Sequence, residues 1–218
     1  MNITVHPHIA AILLTVAGVL GVSESAEARI TAASAFAEAP KSVLPLLDNN
    51  TRLDMVDYFN SGMSTASTNN FGGKSRVTDL SDMRLRAEMT DASTYEFDLL
   101  PASSGDTLIA VISTVATPAP DSRLSVYSSD YSDNLTSAVF SRPTLDEWLT
   151  AQGKSDRSTV EAFVPFLLIS YSYDPSTQLL TLTNNTRRFL TDDVYDMVSA
   201  DLLTALTYRW DGKKFVKQ

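Results

Sequence analysis

From Met83 onward the chain alternates with a period of two. Met83, Leu85, Ala87 and Met89 are separated by Arg84, Arg86 and Glu88, and after "TDAS" Tyr95, Phe97 and Leu99 are separated by Glu96 and Asp98. Successive side chains of a strand point to opposite faces, so the pattern dictates two half-buried strands and excludes a helix here. Matching their apolar faces around a three-residue loop, Thr90-Asp91-Ala92, sets Arg84 opposite Asp98, Leu85 opposite Phe97 and Arg86 opposite Glu96. The next run, "TLIAVISTV", is apolar on both faces, as expected of a central strand covered on two sides. "SRLSVYS" alternates again, and Pro118 and Pro120 between these runs break pairing and turn the chain.

Helical spacing frames this sheet. "TRLDMVDYFN" places Leu53, Val56 and Phe59 on one face, with Asn50 as the cap and Gly62 just beyond the end. "TLDE" reads as a capping box from Thr144 to Glu147, with Leu145, Trp148 and Leu149 buried and Gly153 as the stop. A second box, Ser158 to Glu161, opens a short helix that Pro165 ends. Strands are expected at 166–173 and 179–183. A last helix is capped by Thr191, with Asp192 and Asp193 in its first turn and Val194, Met197, Val198 and Leu202 as its apolar face. The fold class expected is α+β, mainly antiparallel sheet with a few packing helices, in two lobes or one extended sheet. The divisions are a signal peptide at 1–28, a leader or spacer at 29–41, a helix plus five-stranded antiparallel lobe at 42–140, and a helix, hairpin, helix, hairpin lobe at 141–218.

The signal peptide rests on the apolar run at 9–22, which is shorter than the ~20 residues of a membrane span and precedes the small-x-small pattern Ala26-Glu27-Ala28. Its n-region carries only the terminal amine, His6 and His8, a departure from the usual Lys or Arg; the other reading of the run is a buried core helix. Cleavage after Ala28 would remove both histidines, Glu24 and Glu27, leaving 17 Lys+Arg against 24 Asp+Glu, a charge of 17 − 24 = −7. Such an acidic chain is a poor partner for nucleic acid, whose phosphates require a basic surface. The expected location is periplasmic or secreted, with no transmembrane span after signal removal.

Without His or Cys beyond residue 28, a Ser-His-Asp triad, a Cys-His pair and a His/Cys zinc site are excluded. Ser64 in "GMSTA" therefore has no histidine base, and no S-x-x-K occurs to replace it. "FGGKS" ends like a phosphate loop, but Thr68 stands where the first glycine belongs, so a Gly-rich turn before a strand is the reading. Asp130 and Asp133 lack the regular ladder of a calcium loop. No metal or other cofactor is expected. Paired carboxylates remain open, because glycoside hydrolysis needs only two acids ~5–10 Å apart; Asp54 with Asp57 and Asp192 with Asp193 are candidates.

The chain ends in "LTYRWDGKKFVKQ". Asp211-Gly212 is the preferred type I′ pair, which sets Trp210 opposite Lys213, Arg209 opposite Lys214 and Tyr208 opposite Phe215. Lysines on such an edge resist unwanted strand pairing. The same ribbon could serve as a recognition strip through Arg209, Trp210 and Lys213.

The succession "LPLLDNNTRLDMVDYFNSGM", "NNFGGKSRVTDLSDMRLRAEMTDASTYEFDLLP", "ISTVATPAPDSRLSVYSSDY" and "LTYRWDGKKFV" resembles a family of secreted Bacteroidetes proteins of unknown function, DUF3256. The resemblance implies export and an α+β fold and transfers no site. It also implies cysteines around "ISTVATPAPDS" in many members, where this chain has none. The expected function is that of a non-enzymatic binding or accessory protein of the cell envelope, with an envelope protein or a glycan as partner. The alternatives are a carboxylate-dependent glycoside hydrolase and a structural subunit of an envelope assembly.

Overall fold

The computed structural model describes residues 29–218; the apolar run and cleavage pattern of the expected signal lie outside the described residues. Two helices, α1 (Ala32–Glu38) and α2 (Asn49–Asn60), precede six strands: β1 (Ser67–Thr68), β2 (Lys74–Leu80), β3 (Arg84–Thr90), β4 (Ser93–Pro101), β5 (Thr107–Val115) and β6 (Asp121–Tyr127). Each strand pairs antiparallel with the next, giving a meander in chain order. Four short helices follow, α3 (Thr136–Val139), α4 (Leu145–Trp148), α5 (Ala151–Ser155) and α6 (Arg157–Phe163). The second sheet contains β7 (Ile169–Asp174), β8 (Leu179–Asn184), β9 (Ala205–Trp210) and β10 (Phe215–Lys217), in the order β10-β9-β8-β7, with α7 (Asp192–Val198) between β8 and β9. The fold is α+β, built on two antiparallel sheets.

Side-chain parity on β5 shows how the layers stack. Ile109 and Val111 enter one core with Phe36, Leu44, Leu47 and Met55 of the helical layer, together with Leu85, Ala87, Met89, Phe97 and Leu99. Ala110 and Ile112 face the other way, into a core shared with Tyr171, Tyr173, Leu180, Leu182, Tyr208, Trp210 and Phe215 of the second sheet. The doubly apolar run is thus explained by helices on one side and a sheet on the other. A third, smaller core gathers Leu149, Val160, Val164, Val198 and Leu202 from the short helices and their links.

The β3–β4 register is the one the alternation dictates: Arg84 pairs with Asp98, Leu85 with Phe97 and Arg86 with Glu96. A bulge between Glu88 and Thr90 then pairs Thr90 with Ser93, so the loop is Asp91-Ala92, one residue shorter than expected. Strand β3 is half-buried as the alternation predicts, with Leu85, Ala87 and Met89 buried and Arg84, Arg86 and Glu88 partly exposed, but β4 is not. Glu96 through Leu100 are all buried, because the second sheet covers the face that the alternation assigned to solvent.

The terminal hairpin departs from the expected register by two residues. Trp210 pairs with Phe215, Arg209 with Val216 and Tyr208 with Lys217, leaving a four-residue loop 211–214. Asp211 Oδ1 accepts from the backbone N–H groups of Lys213 and Lys214, both at 2.8 Å, and so closes a wider turn than type I′. The Gly212 carbonyl accepts from Ser103 N at 2.8 Å, docking the loop on the β4–β5 turn. Gly212 has φ +89°, and a Cβ there would stand 2.3 Å from Ser103 Oγ.

Other local departures have equally local causes. The stretch 29–41, expected as a spacer, carries α1, whose Thr31 and Ser34 form a capping box and whose Ala32, Ala35 and Phe36 are buried. Helix α2 is capped by Asp48 instead of Asn50, through Oδ1 to Thr51 N at 2.8 Å. It buries Arg52 and Met55 and leaves Leu53 exposed. Arg52 reaches the C-terminal end of α1, donating to the Phe36 carbonyl at 3.2 Å and to that of Ala39. Gly153 lies inside α5 and does not stop α4: a Cβ there would stand 2.2 Å from the Asp201 carbonyl oxygen, so glycine admits a close crossing. Helix α6 begins at Arg157 after Asp156, ahead of the expected Ser158 box. Met197 of α7 is exposed, while Val198 and Leu202 pack inward.

Candidate binding groove

The seam between the two sheets is made by side chains meeting an edge strand. Strand β7 is an edge of the second sheet, and three of its alternate backbone N–H groups donate to side chains of the first sheet. Ile169 donates to Asp121 Oδ1 at 3.0 Å, Tyr171 to Ser122 Oγ at 3.0 Å and Tyr173 to Glu96 Oε1 at 3.2 Å. This satisfies buried donors and removes the strand as a template for foreign pairing. Ser122 is itself held by Thr114, 2.7 Å between their hydroxyls.

At one end of the seam lies a closed charge cluster. Asp98 is fully buried and its Oδ1 accepts from Arg84 Nε at 2.9 Å. Glu96 takes Arg86 Nε at 2.5 Å and lies 3.4 Å from Arg84 Nη2. Arg86 also donates to Ser172 Oγ of β7 at 3.2 Å. Three buried atoms here, Arg84 Nη2, Asp98 Oδ2 and the Tyr173 hydroxyl, have no hydrogen-bond partner. Burial pushes the Asp98 carboxyl well above its ordinary range, Glu96 adds to the effect, and Arg84 offsets only part of it. Burial likewise raises the Tyr173 phenol, with Asp98 contributing. Glu96 and Asp98 are two acids on one strand face, but a substrate has no access to Asp98.

At the other end the seam opens. A hollow of about 670 Å3 is lined by Ser113, Thr117, Asp121, Arg123, Phe140 and Arg142, among others, and a second of about 280 Å3 by Pro143, Trp148, Pro165 and Phe166. Arg142 and Tyr171 line both, so the two meet there. Arg142 Nη2 pairs with Asp121 Oδ1 at 3.1 Å and is half exposed. Asp121 is therefore shared between a groove cation and the β7 backbone. Arg123 is exposed and forms no ion pair among the described residues. Phe166, 49% exposed, packs at a tilt of 42° against Phe189 with centroids 5.1 Å apart and leaves aromatic surface exposed at the rim. Hydroxyls, one ion pair, a free guanidinium and aromatic surface suit a polyhydroxylated ligand, which needs fixed polar partners beside an apolar platform.

The residues singled out in the sequence fall elsewhere. Trp210 is only 1% exposed, and its indole N–H donates to the Pro101 carbonyl at 2.7 Å, so it is part of the core. Arg209 is exposed and donates to the Thr177 carbonyl, and Lys213 lies in the widened turn. These three side chains do not form one strip. Asp54 and Asp57 are exposed on α2, and Asp192 and Asp193 are exposed at the start of α7. Asp130 folds its own loop: the Ser132 N–H and the Ser128 hydroxyl hold its carboxyl down to about 2. Ser64 is exposed, and Gly72 serves the tight turn at φ +78°. No group of three or more His, Cys, Asp or Glu side chains is placed to hold a metal among the described residues. No described helix is long and apolar enough to cross a membrane. Trp148 is buried, as its helical spacing predicts. Arg142 and Phe166 carried no signal in the sequence, since both fall in irregular segments made significant by the meeting of the sheets.

The model of a family described as "Protein of unknown function (DUF3256)" matches residues 25–215. No curated protein matches the chain. Among solved structures, a domain of an uncharacterized protein from Porphyromonas gingivalis W83 superposes with a TM-score of 0.73 at 20% identity, covering 85% of this chain and 96% of that one. At that identity the likeness is one of fold.

Proposed function

Because the chain belongs to the DUF3256 family, described only as being of unknown function, we propose its role from its own groove: a non-catalytic binding protein of the cell envelope, exported to the periplasm or beyond, that holds a glycan at the junction of its sheets. The observation that carries this reading is the convergence of Arg142, Asp121 and Tyr171 where the two hollows meet. The ion pair offers donors and acceptors in fixed positions, and the Ser113 and Thr117 side chains extend the polar lining. Phe166 adds a ring on which a sugar face can rest. Closure of the Glu96–Asp98 pair counts against a carboxylate hydrolase built on those acids, since catalysis requires contact with the glycosidic bond.

The test is a chemical-shift titration of residues 29–218 with oligosaccharides released from the envelope polysaccharides of the producing cell. Perturbations should cluster at Ser122, Arg142 and Tyr171, and Arg142→Ala should weaken binding by about tenfold or more. Shifts that map elsewhere, or no response to any glycan, would overturn the reading. Specific capture of an envelope protein by this groove would replace the glycan with a protein ligand.

A further inference from the structure

The tip of the β1–β2 hairpin displays a large apolar side chain on a rigid mount. Phe71 is 82% exposed, yet its backbone is fixed from both sides. The buried Asn69 side chain accepts from Phe71 N at 3.1 Å and Gly73 N at 3.0 Å, and donates to Ser75 Oγ and to the Met89 carbonyl. Asn70 anchors the loop to the segment before α2, its N–H reaching the Leu46 carbonyl at 2.9 Å and its side chain that of Pro45 at 3.2 Å. Gly72 adopts φ +78°, and a Cβ on Gly73 would stand 2.9 Å from Asn69 Nδ2, so both glycines serve the same tight loop. The fold thus orders a loop whose largest side chain gains no burial within the chain, which is the arrangement of a preorganised contact residue.

A hollow of about 700 Å3 adjoins this ring, lined by Lys41, Pro45, Leu47, Asp48, Asn70 and Phe71 among others. Projection and cavity therefore lie side by side on one face, and the same lining carries two cations, Lys41 and Arg52, and an anion, Asp48. We propose that this face is a self-association surface, in which two copies related by a two-fold axis each seat Phe71 in the hollow of the other. An isologous contact uses the same patch twice and requires it to be self-complementary in shape and charge. A neighbouring ring and cavity with both signs of charge meet that requirement. The inference stands apart from the groove on the sheet seam, which shares no residue with this face.

Sedimentation velocity of residues 29–218 over a wide concentration series should show a reversible monomer–dimer equilibrium. Phe71→Ala should raise the dissociation constant by about 30-fold or more, the loss of an interface hot spot, with an unchanged melting temperature under conditions where both proteins are monomeric. A photo-reactive phenylalanine analogue at position 71 should crosslink to residues 41–49 of a second, isotopically distinct copy. A protein that stays monomeric throughout, a dimer indifferent to Phe71→Ala, or a monomer destabilised by that substitution would each overturn the proposal.

Discussion

Asp98→Asn isolates the energetics of the closed charge cluster. The groups facing Asp98 are Arg84 from β3, Glu96 from its own strand and Tyr173 from β7; Arg86 pairs with Glu96, and Asp79 and Asp174 act at longer range through Arg84 and Tyr173. Burial disfavours the Asp98 carboxylate more than Arg84 favours it, so the folded chain holds this proton at a higher pH than the unfolded chain, whose ordinary value is 3.8. A raised folded value makes the contribution of Asp98 to stability complete below the unfolded value, and that contribution is lost as pH rises through the folded one. Asparagine cannot ionise, so the variant never suffers the loss. Below about pH 4 both side chains are neutral, and the amide oxygen of the substituted side chain can still accept the Arg84 bond, so the two proteins should agree within ~1 kcal/mol. Above that, the stability of the variant relative to the parent should climb by ~1.4 kcal/mol for each pH unit between the unfolded and folded values, then level off. Urea unfolding of both proteins from about pH 3.5 to about pH 8 measures the difference for Asp98 together with the Glu96 carboxyl that interacts with it. A variant that is less stable at neutral pH by ~3–5 kcal/mol, the cost of breaking a buried ion pair, would refute the reasoning and show that Asp98 is ionised in the fold.

Two further substitutions test the packing. Gly153→Ala should destabilise by ~1–3 kcal/mol, since a methyl 2.2 Å from the Asp201 carbonyl forces α5 away from its neighbour; an unchanged thermal midpoint would show that the crossing can relax. Arg52→Met keeps the aliphatic stem but deletes the bonds to the Phe36 and Ala39 carbonyls at the end of α1, at a cost of about 3 kcal/mol. Faster amide exchange confined to α1 and α2 should accompany that loss, and uniform or unchanged protection would reject Arg52 as the clasp between them.

Patterns within single strands and helices are legible in the sequence itself. The period-two run from Met83 determines the β3–β4 register, because a slip of one residue would exchange the two faces. The doubly apolar Thr107–Val115 run requires cover on both sides, and the absence of His and Cys beyond residue 28 removes whole classes of chemistry. The terminal hairpin is less determined: parity places Tyr208, Trp210 and Phe215 on one face, but a slip of two preserves parity. The Asp211 side chain and the contact of Gly212 with Ser103, distant along the chain, select the wider loop. The same gap hides the functional surfaces. Whether Glu96 and Asp98 face water or a second sheet depends on β7, whose Tyr173 lies 77 residues beyond Glu96, and Arg142 becomes a groove residue only where Asp121 and Tyr171 meet it. Local sequence sets backbone periodicity and caps, since their partners lie within a few residues. Burial of charge, the protonation of Asp98 and the shape of the groove are properties of which layer covers which, and only the tertiary structure decided those.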